Sequence, residues 1–61
     1  MMKFDKAFEI LMERHEELAW YEIFESELLE AGMAEILGYT VEELEALPEY
    51  VEWSWELAQE L

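Results

Sequence analysis

The chain contains no cysteine, one histidine, one proline, two glycines and three basic residues. Without cysteine it can form neither a disulfide nor a thiolate metal site, and a single histidine argues against structural zinc. A chain of about 60 residues buries only roughly 60% of its unfolded surface, so small folds usually add a disulfide, a metal or a partner subunit. Unusually good packing or oligomerisation is left as the source of stability.

Positive charge is confined to the first 14 positions, at Lys3, Lys6 and Arg14, whereas the chain carries 17 Asp and Glu residues. Residues 15–61 contain 14 of these acids and no Lys or Arg, and the formal net charge is −14. This negative field disfavours direct binding to nucleic acid or to an anionic membrane, since both interactions use basic residues. The partner expected on these grounds is a basic protein.

Long apolar runs are also lacking. No stretch approaches the ~20 apolar residues of a membrane span, and the first residues lack the apolar segment of a signal peptide. We therefore expect an intracellular, cytoplasmic protein. The apolar fraction of 54% is nevertheless too high for a disordered acidic tail. Residues 1–61 are expected to form a single small domain.

The stretch Phe4–Leu37 has no Pro and only one Gly, and it is rich in residues that favour helix. Its apolar residues first follow one helical stripe: Phe4, Ala7, Phe8, Leu11, His15 and Leu18. Trp20, Phe24 and Leu28 then fall on roughly the opposite side. Either one long helix, with a bend near 22–26 or 32, has two apolar sides, or the helix breaks near 22–26 and Ser26 caps a second one. The lack of Gly or Pro at 22–26 favours the long helix.

The remaining chain predicts two shorter helices. Gly38 suits the end of the first helical region, and Thr40 with Glu43 forms a capping box for a short helix over 41–46. Pro48 begins a C-terminal helix over 48–60. That helix carries an apolar stripe of Tyr50, Trp53, Leu57 and Leu61. The predicted fold is all-α, with the C-terminal helix folding back on the first.

The sequence motifs that would indicate metal binding or catalysis are incomplete. The sequence from His15 begins like the zinc-protease pattern His-Glu-x-x-His but has Ala19 where the second His would stand. Carboxylate pairs are too frequent to mark a site, and a chain of this length can hardly enclose a pocket that would raise the pKa of a catalytic acid. The sequence therefore predicts no enzyme, no metal site and no cofactor.

Aromatic and aliphatic residues outside the main stripes have two interpretations. They either fill one irregular core or form a surface for self-association, since Trp and Tyr are enriched at the centres of interfaces. Because a three-helix monomer cannot cover both sides of a long first helix, we expect a homodimer. The predicted self-association surface consists of Trp20, Phe24, Leu28, Val51 and Trp55.

The segment from Met33 to Pro48, followed by Trp53, resembles small phage tail-assembly chaperone-like proteins over about residues 33–55. Those proteins have a helix that ends in Gly-aromatic, a Ser/Thr cap, a short helix and a final helix that carries a Trp. The resemblance implies a non-catalytic assembly chaperone of a phage, with the cytoplasm of the host cell as its location. The high acidity of this chain and its aromatic first helix are not part of that pattern.

The function expected from the charge is that of a non-enzymatic helical protein that inhibits or occludes a basic partner. Dense carboxylates on a helical scaffold can imitate a nucleic-acid backbone and so block a nucleic-acid-binding or defence protein, as small phage inhibitors do. The alternatives are the tail-assembly chaperone and a designed or orphan bundle with no natural ligand. The predicted partner-binding face comprises Glu13, Glu16, Glu17, Glu42, Glu45, Glu49 and Glu52.

Overall fold

The computed structural model describes residues 3–61, and every regular secondary-structure element in this range is a helix, which confirms the all-α prediction. The helices, in chain order, are α1 (Lys3–Arg14), α2 (Trp20–Phe24), α3 (Leu28–Leu37), α4 (Val41–Glu45) and α5 (Pro48–Ala58). Together they surround one apolar core, in which Leu11, Ile23, Met33 and Leu44 have the largest fully buried side chains.

The long helix predicted over Phe4–Leu37 is wrong, because the chain breaks twice within it. The first break follows Arg14, where the amides of His15 and Leu18 donate to carbonyls three residues earlier. Ala19 is then extended, and its N–H donates to the Glu22 carboxylate at 2.7 Å. This interaction is half of a capping box and marks the start of α2.

The second break separates α2 from α3 at residues 25–27. The Ser26 hydroxyl donates to the Ile23 carbonyl at 2.9 Å and accepts from the Leu28 N–H at 3.2 Å. The alternative with a break near 22–26 and Ser26 at the next helix start is therefore closer to the structure. The two breaks change the direction of the chain, so that Ile23 of α2 and Leu29 of α3 both lie in the core together with the buried residues of α1.

The second half of the chain follows its local signals. Gly38 ends α3 in the left-handed region, with φ of 85°. Thr40 and Glu43 form the predicted capping box, with the Glu43 N–H donating to Thr40 Oγ1 at 3.1 Å and the Thr40 N–H donating to Glu43 Oε1 at 2.9 Å. Pro48 occupies the first turn of α5. Helices α4 and α5 end at Glu45 and Ala58, slightly earlier than the predicted 46 and 60.

Large aromatic rings join α5 to α1. The Trp53 ring lies 6.0 Å from Phe4 and 5.6 Å from Phe8, and the Tyr50 ring lies 5.8 Å from Phe4, between ring centroids. The indole N–H of Trp53 also donates to Asp5 Oδ1 at 2.8 Å. Such ring pairs contribute about 0.5–1.5 kcal/mol each beyond their buried area. Because the rings hold the two backbones apart, an open groove remains beside them.

Helix α3 approaches α1 closely at Gly32, where an added Cβ would clash with the buried side chain of Leu11. We expect Gly32→Ala to lower the free energy of unfolding by up to about 2 kcal/mol, because overpacking a core costs about 1–3 kcal/mol and Ala gains only ~1 kcal/mol in helix propensity. Urea denaturation checks this prediction. The control is Ala31→Gly at the exposed neighbouring position, which loses only propensity, and a stabilising Gly32→Ala would contradict close packing of α1 on α3.

Candidate functional site

The seven predicted partner-binding carboxylates are all exposed, but the structure distributes them over several elements. Glu13 lies in the last turn of α1, and Glu16 and Glu17 lie in the following turn. Glu42 and Glu45 belong to α4, whereas Glu49 and Glu52 lie on α5. They therefore form a distributed negative surface, and only the α5 pair lies in a groove.

Little of this charge is compensated inside the fold. Within residues 3–61 the structure forms one ion pair, between Arg14 Nη1 and Glu35 Oε1 at 3.2 Å, with both side chains more than half exposed. An exposed pair of this kind contributes about 0–1 kcal/mol. No other carboxylate forms an ion pair in the described part of the chain, so most of their field extends into solvent.

The groove between α1 and α5 brings five carboxylates together. It has a volume of about 720 Å³, within the range of ~300–1,000 Å³ typical of ligand sites. We call it the acidic groove, and its lining consists of Lys3, Phe4, Asp5, Glu49, Glu52, Trp53, Glu56, Leu57 and Glu60. Phe4, Trp53 and Leu57 supply the apolar part of this lining.

Lys3 lies at one end of the acidic groove. Its ammonium group donates to the Tyr39 hydroxyl at 3.0 Å and lies 5.5 Å from the Phe4 ring centroid and 5.4 Å from that of Tyr39. The hydrogen bond to Tyr39 raises the pKa of Lys3, and Glu49 adds to the effect. The fold thus already holds one cation over aromatic faces at this end, which is a recurring way to bind an ammonium or guanidinium group.

Sequence reasoning identified Glu49 and Glu52 but missed Asp5, Glu56 and Glu60 as members of the same groove. A signal for two of these was present, because Glu49, Glu52, Glu56 and Glu60 recur at helical spacing along α5. Asp5 could not be placed there from spacing alone, since its position depends on how α1 packs against Trp53.

The predicted self-association surface is divided between the core and the exterior. Trp20 and Phe24 are half-buried, lie 6.3 Å apart between ring centroids, and pack against the core as the irregular-core interpretation expects. Val51 is half-buried, and Leu28 is exposed. Trp55 is 70% exposed, on the side of α5 away from the buried Tyr50. Of the five, Trp55 is the clearest exposed anchor.

Glu30 of α3 and Glu45 of α4 form a carboxyl pair near Tyr50. A hydrogen bond to Glu45 raises the pKa of Glu30, and burial and the nearby charges of Glu45 and Glu27 add to this shift. Burial, with Glu30 and Glu45 close by, raises the pKa of Tyr50 to about 12. Both groups are therefore held in their protonated forms more strongly than in the unfolded chain.

A raised pKa on a carboxyl group gives a defined pH dependence. The folded state binds the Glu30 proton more tightly than the unfolded state, so Glu30 adds stability at low pH and this contribution is lost as pH rises through its folded pKa. We expect Glu30→Gln, which is uncharged at all pH values, to raise the free energy of unfolding at pH 7 by about 0.5 kcal/mol, on the scale of an exposed charge interaction.

Urea denaturation from pH 4 to pH 7 measures this effect, because this range begins below the ordinary Glu pKa of 4.5. Wild type should lose stability as pH rises, and Glu30→Gln should lose less. Glu25→Gln, in the exposed link before α3, serves as the control, because it removes one charge but leaves the Glu30–Glu45 pair intact. Equal pH slopes for the two variants would contradict a coupled Glu30–Glu45 pair.

Within residues 3–61 no three His, Asp or Glu side chains converge as ligands for a metal ion. In the same range no helix has the length and apolar character needed to cross a membrane.

Comparisons with protein-family models, with curated proteins and with solved structures return no match. The resemblance to tail-assembly chaperones over about residues 33–55 therefore stays a prediction.

Proposed function

We propose that this protein is a non-enzymatic inhibitor that occupies the basic surface of a partner protein, in place of that partner's nucleic acid. The observation that supports the proposal is the combination of a net charge of −14 with a single exposed ion pair in residues 3–61. A fold that keeps so much charge uncompensated is self-repulsive. A basic partner would relieve that repulsion and gain a complementary field.

The helical framework suits this role because it holds the carboxylates on short, packed elements. Helices α3, α4 and α5 are joined by tight turns and anchored by Met33, Leu44 and Tyr50, which are all buried. Carboxylates on such elements need little ordering when they bind, which reduces the entropic cost of association. The protein would thus present a preformed array of negative charge, as a nucleic-acid backbone does.

Affinity capture from a bacterial lysate tests the proposal. The immobilised wild-type chain should retain a basic, nucleic-acid-binding protein at low salt and release it as salt rises, because screening shortens the reach of surface charge. The comparison is a variant with Gln at Glu13, Glu16, Glu17, Glu42, Glu45, Glu49 and Glu52. Retention that is unaffected by salt or by these seven substitutions would contradict charge mimicry.

The tail-assembly chaperone is the second candidate function. Exposed apolar residues favour it, namely Tyr21, Leu28, Val41, Trp55 and Leu61. A chaperone would bind its client protein through such residues. Trp55→Ala should therefore abolish client binding, whereas the seven-Gln variant should retain it. The capture experiment therefore separates the two functions with one pair of variants.

We also propose that the chain forms a homodimer through Trp55 and its neighbours. The support is the 70% exposure of the Trp55 side chain, since Trp is enriched at the centres of protein interfaces. Sedimentation velocity should show a dimer at micromolar concentration for wild type and a monomer for Trp55→Ala. A wild-type monomer at high micromolar concentration would contradict self-association.

A further inference from the structure

We propose that the acidic groove is the docking site for a basic amphipathic helix of the partner protein. This inference rests on the proposed function and adds the contact surface and the kind of element that it recognises. It is carried by three features of the groove: the spacing of its carboxylates, its apolar lining and the cation already held at one end.

The carboxylates of α5 form a row that another helix can match. Glu49, Glu52, Glu56 and Glu60 follow each other at three or four residues, with Glu60 just past the end of α5. At a rise of 1.5 Å per residue this row spans about 16 Å. Lys or Arg residues at the same spacing on a facing helix would meet it in register, as charged residues do along the edges of a coiled coil.

The apolar lining indicates an amphipathic occupant and argues against a purely polar one. Trp53 and Leu57 are only partly buried, and they line the groove beside the buried Phe4. A helix with Leu or Phe between its cations would cover this surface while its basic residues reach the carboxylates. The methylene groups of its Lys and Arg side chains would also pack along the apolar lining of the groove, as they commonly do on apolar surfaces.

Lys3 shows how a cation is accommodated at the groove. Its ammonium group sits over the Phe4 and Tyr39 rings and occupies the end nearest Glu49. The unpaired carboxylates Glu52, Glu56 and Glu60 lie further along α5. The cations of the incoming helix are therefore expected along these three residues.

Binding of synthetic peptides tests the inference without knowledge of the partner. The probe is a 14-residue peptide of Leu and Lys with its lysines at helical spacing. A scrambled peptide of the same composition and an oligolysine of the same charge are compared with it by calorimetry. The helical peptide should bind at least ~10-fold more tightly than either one, and the Trp53 indole N–H resonance should shift.

Two variants of equal net charge distinguish binding in the groove from attraction by the overall negative charge of the protein. Glu52, Glu56 and Glu60 are replaced by Gln in one, and Glu9, Glu25 and Glu27, which lie outside the groove, in the other. Loss of three exposed charge pairs should lower the affinity for the helical peptide by ~10-fold or more in the groove variant. The affinity of the control variant should fall much less.

The outcomes distinguish the two proposals. Equal weakening by the two variants, or equal affinity for helical and scrambled peptides, would overturn the groove and leave charge mimicry standing. Failure of every basic peptide, oligolysine included, to bind at low salt would overturn both. Displacement of the helical peptide by spermine at matched charge concentration would assign the groove to a small polycation and also overturn the proposal.

Discussion

Leu44→Ala should remove roughly half or more of the free energy of unfolding. Leu44 is fully buried, and it is the residue of the short helix α4 that anchors this helix between α3 and α5. Truncation of a buried Leu costs about 2–5 kcal/mol. A domain of this size has a total stability of only roughly 3–9 kcal/mol, at 0.05–0.15 kcal/mol per residue.

Thermal unfolding followed by circular dichroism measures this loss. The melting temperature should fall by about 8–40 °C, since the loss is about 2–5 kcal/mol and each kcal/mol shifts it by about 4–8 °C in a domain of this size. Val41→Ala in the same helix is the matched control, because Val41 is 39% exposed and should cost less than about 1 kcal/mol. Similar losses for the two variants would show that α4 does not pack as described.

Trp53→Ala should destabilise the fold by about 2–4 kcal/mol, less than the ~3–5 kcal/mol lost on truncation of a fully buried aromatic residue, because Trp53 keeps part of its surface in solvent. Although Trp53 is only partly buried, its ring packs on Phe4, Phe8 and Tyr50, and its N–H bonds to Asp5. The substitution therefore removes the bridge between α1 and α5.

Trp55→Ala, two residues along the same helix, is the control. Its side chain is 70% exposed, so in the monomer the substitution should change stability by less than about 0.5 kcal/mol. Urea denaturation at concentrations where the chain is monomeric compares the two directly. A larger loss for Trp55→Ala than for Trp53→Ala would reverse the assignment of the inward face of α5.

Local signals and periodicity predicted much of this fold. The Thr40–Glu43 capping box, the turn at Gly38 and the start at Pro48 require only neighbouring residues, and the structure has all three. The stripe of α1 was likewise readable, because Phe4, Ala7, Phe8 and Leu11 repeat at helical spacing and are all buried.

The break after Arg14 could not be predicted in the same way. No Gly or Pro marks it, and the cap at the start of α2 uses the Glu22 side chain on the N–H of Ala19, a residue that is not itself a preferred cap. What decides the break is tertiary: a straight helix would carry Ile23 away from the core, in which it is fully buried. The change of apolar phase at Trp20 was the visible consequence, and the two-sided long helix was the wrong explanation of it.

The acidic groove could likewise be predicted only in part. Its row of glutamates on α5 is a sequence feature, but its existence as a groove depends on α1 and α5 being held apart by Trp53 and Phe4. The seven predicted carboxylates are exposed as expected, yet their distribution over α1, α4 and α5 follows from helix packing. Charge could therefore be predicted from composition, whereas the arrangement of charge could not.

Competition for a captured partner tests the central claim most directly. Fluorescently labelled nucleic acid is bound to the partner, and its anisotropy is followed as this protein is added. Charge mimicry predicts that wild type releases the nucleic acid completely and that the seven-Gln variant at equal concentration does not. Formation of a complex between the protein and its partner while the nucleic acid remains bound would contradict the account.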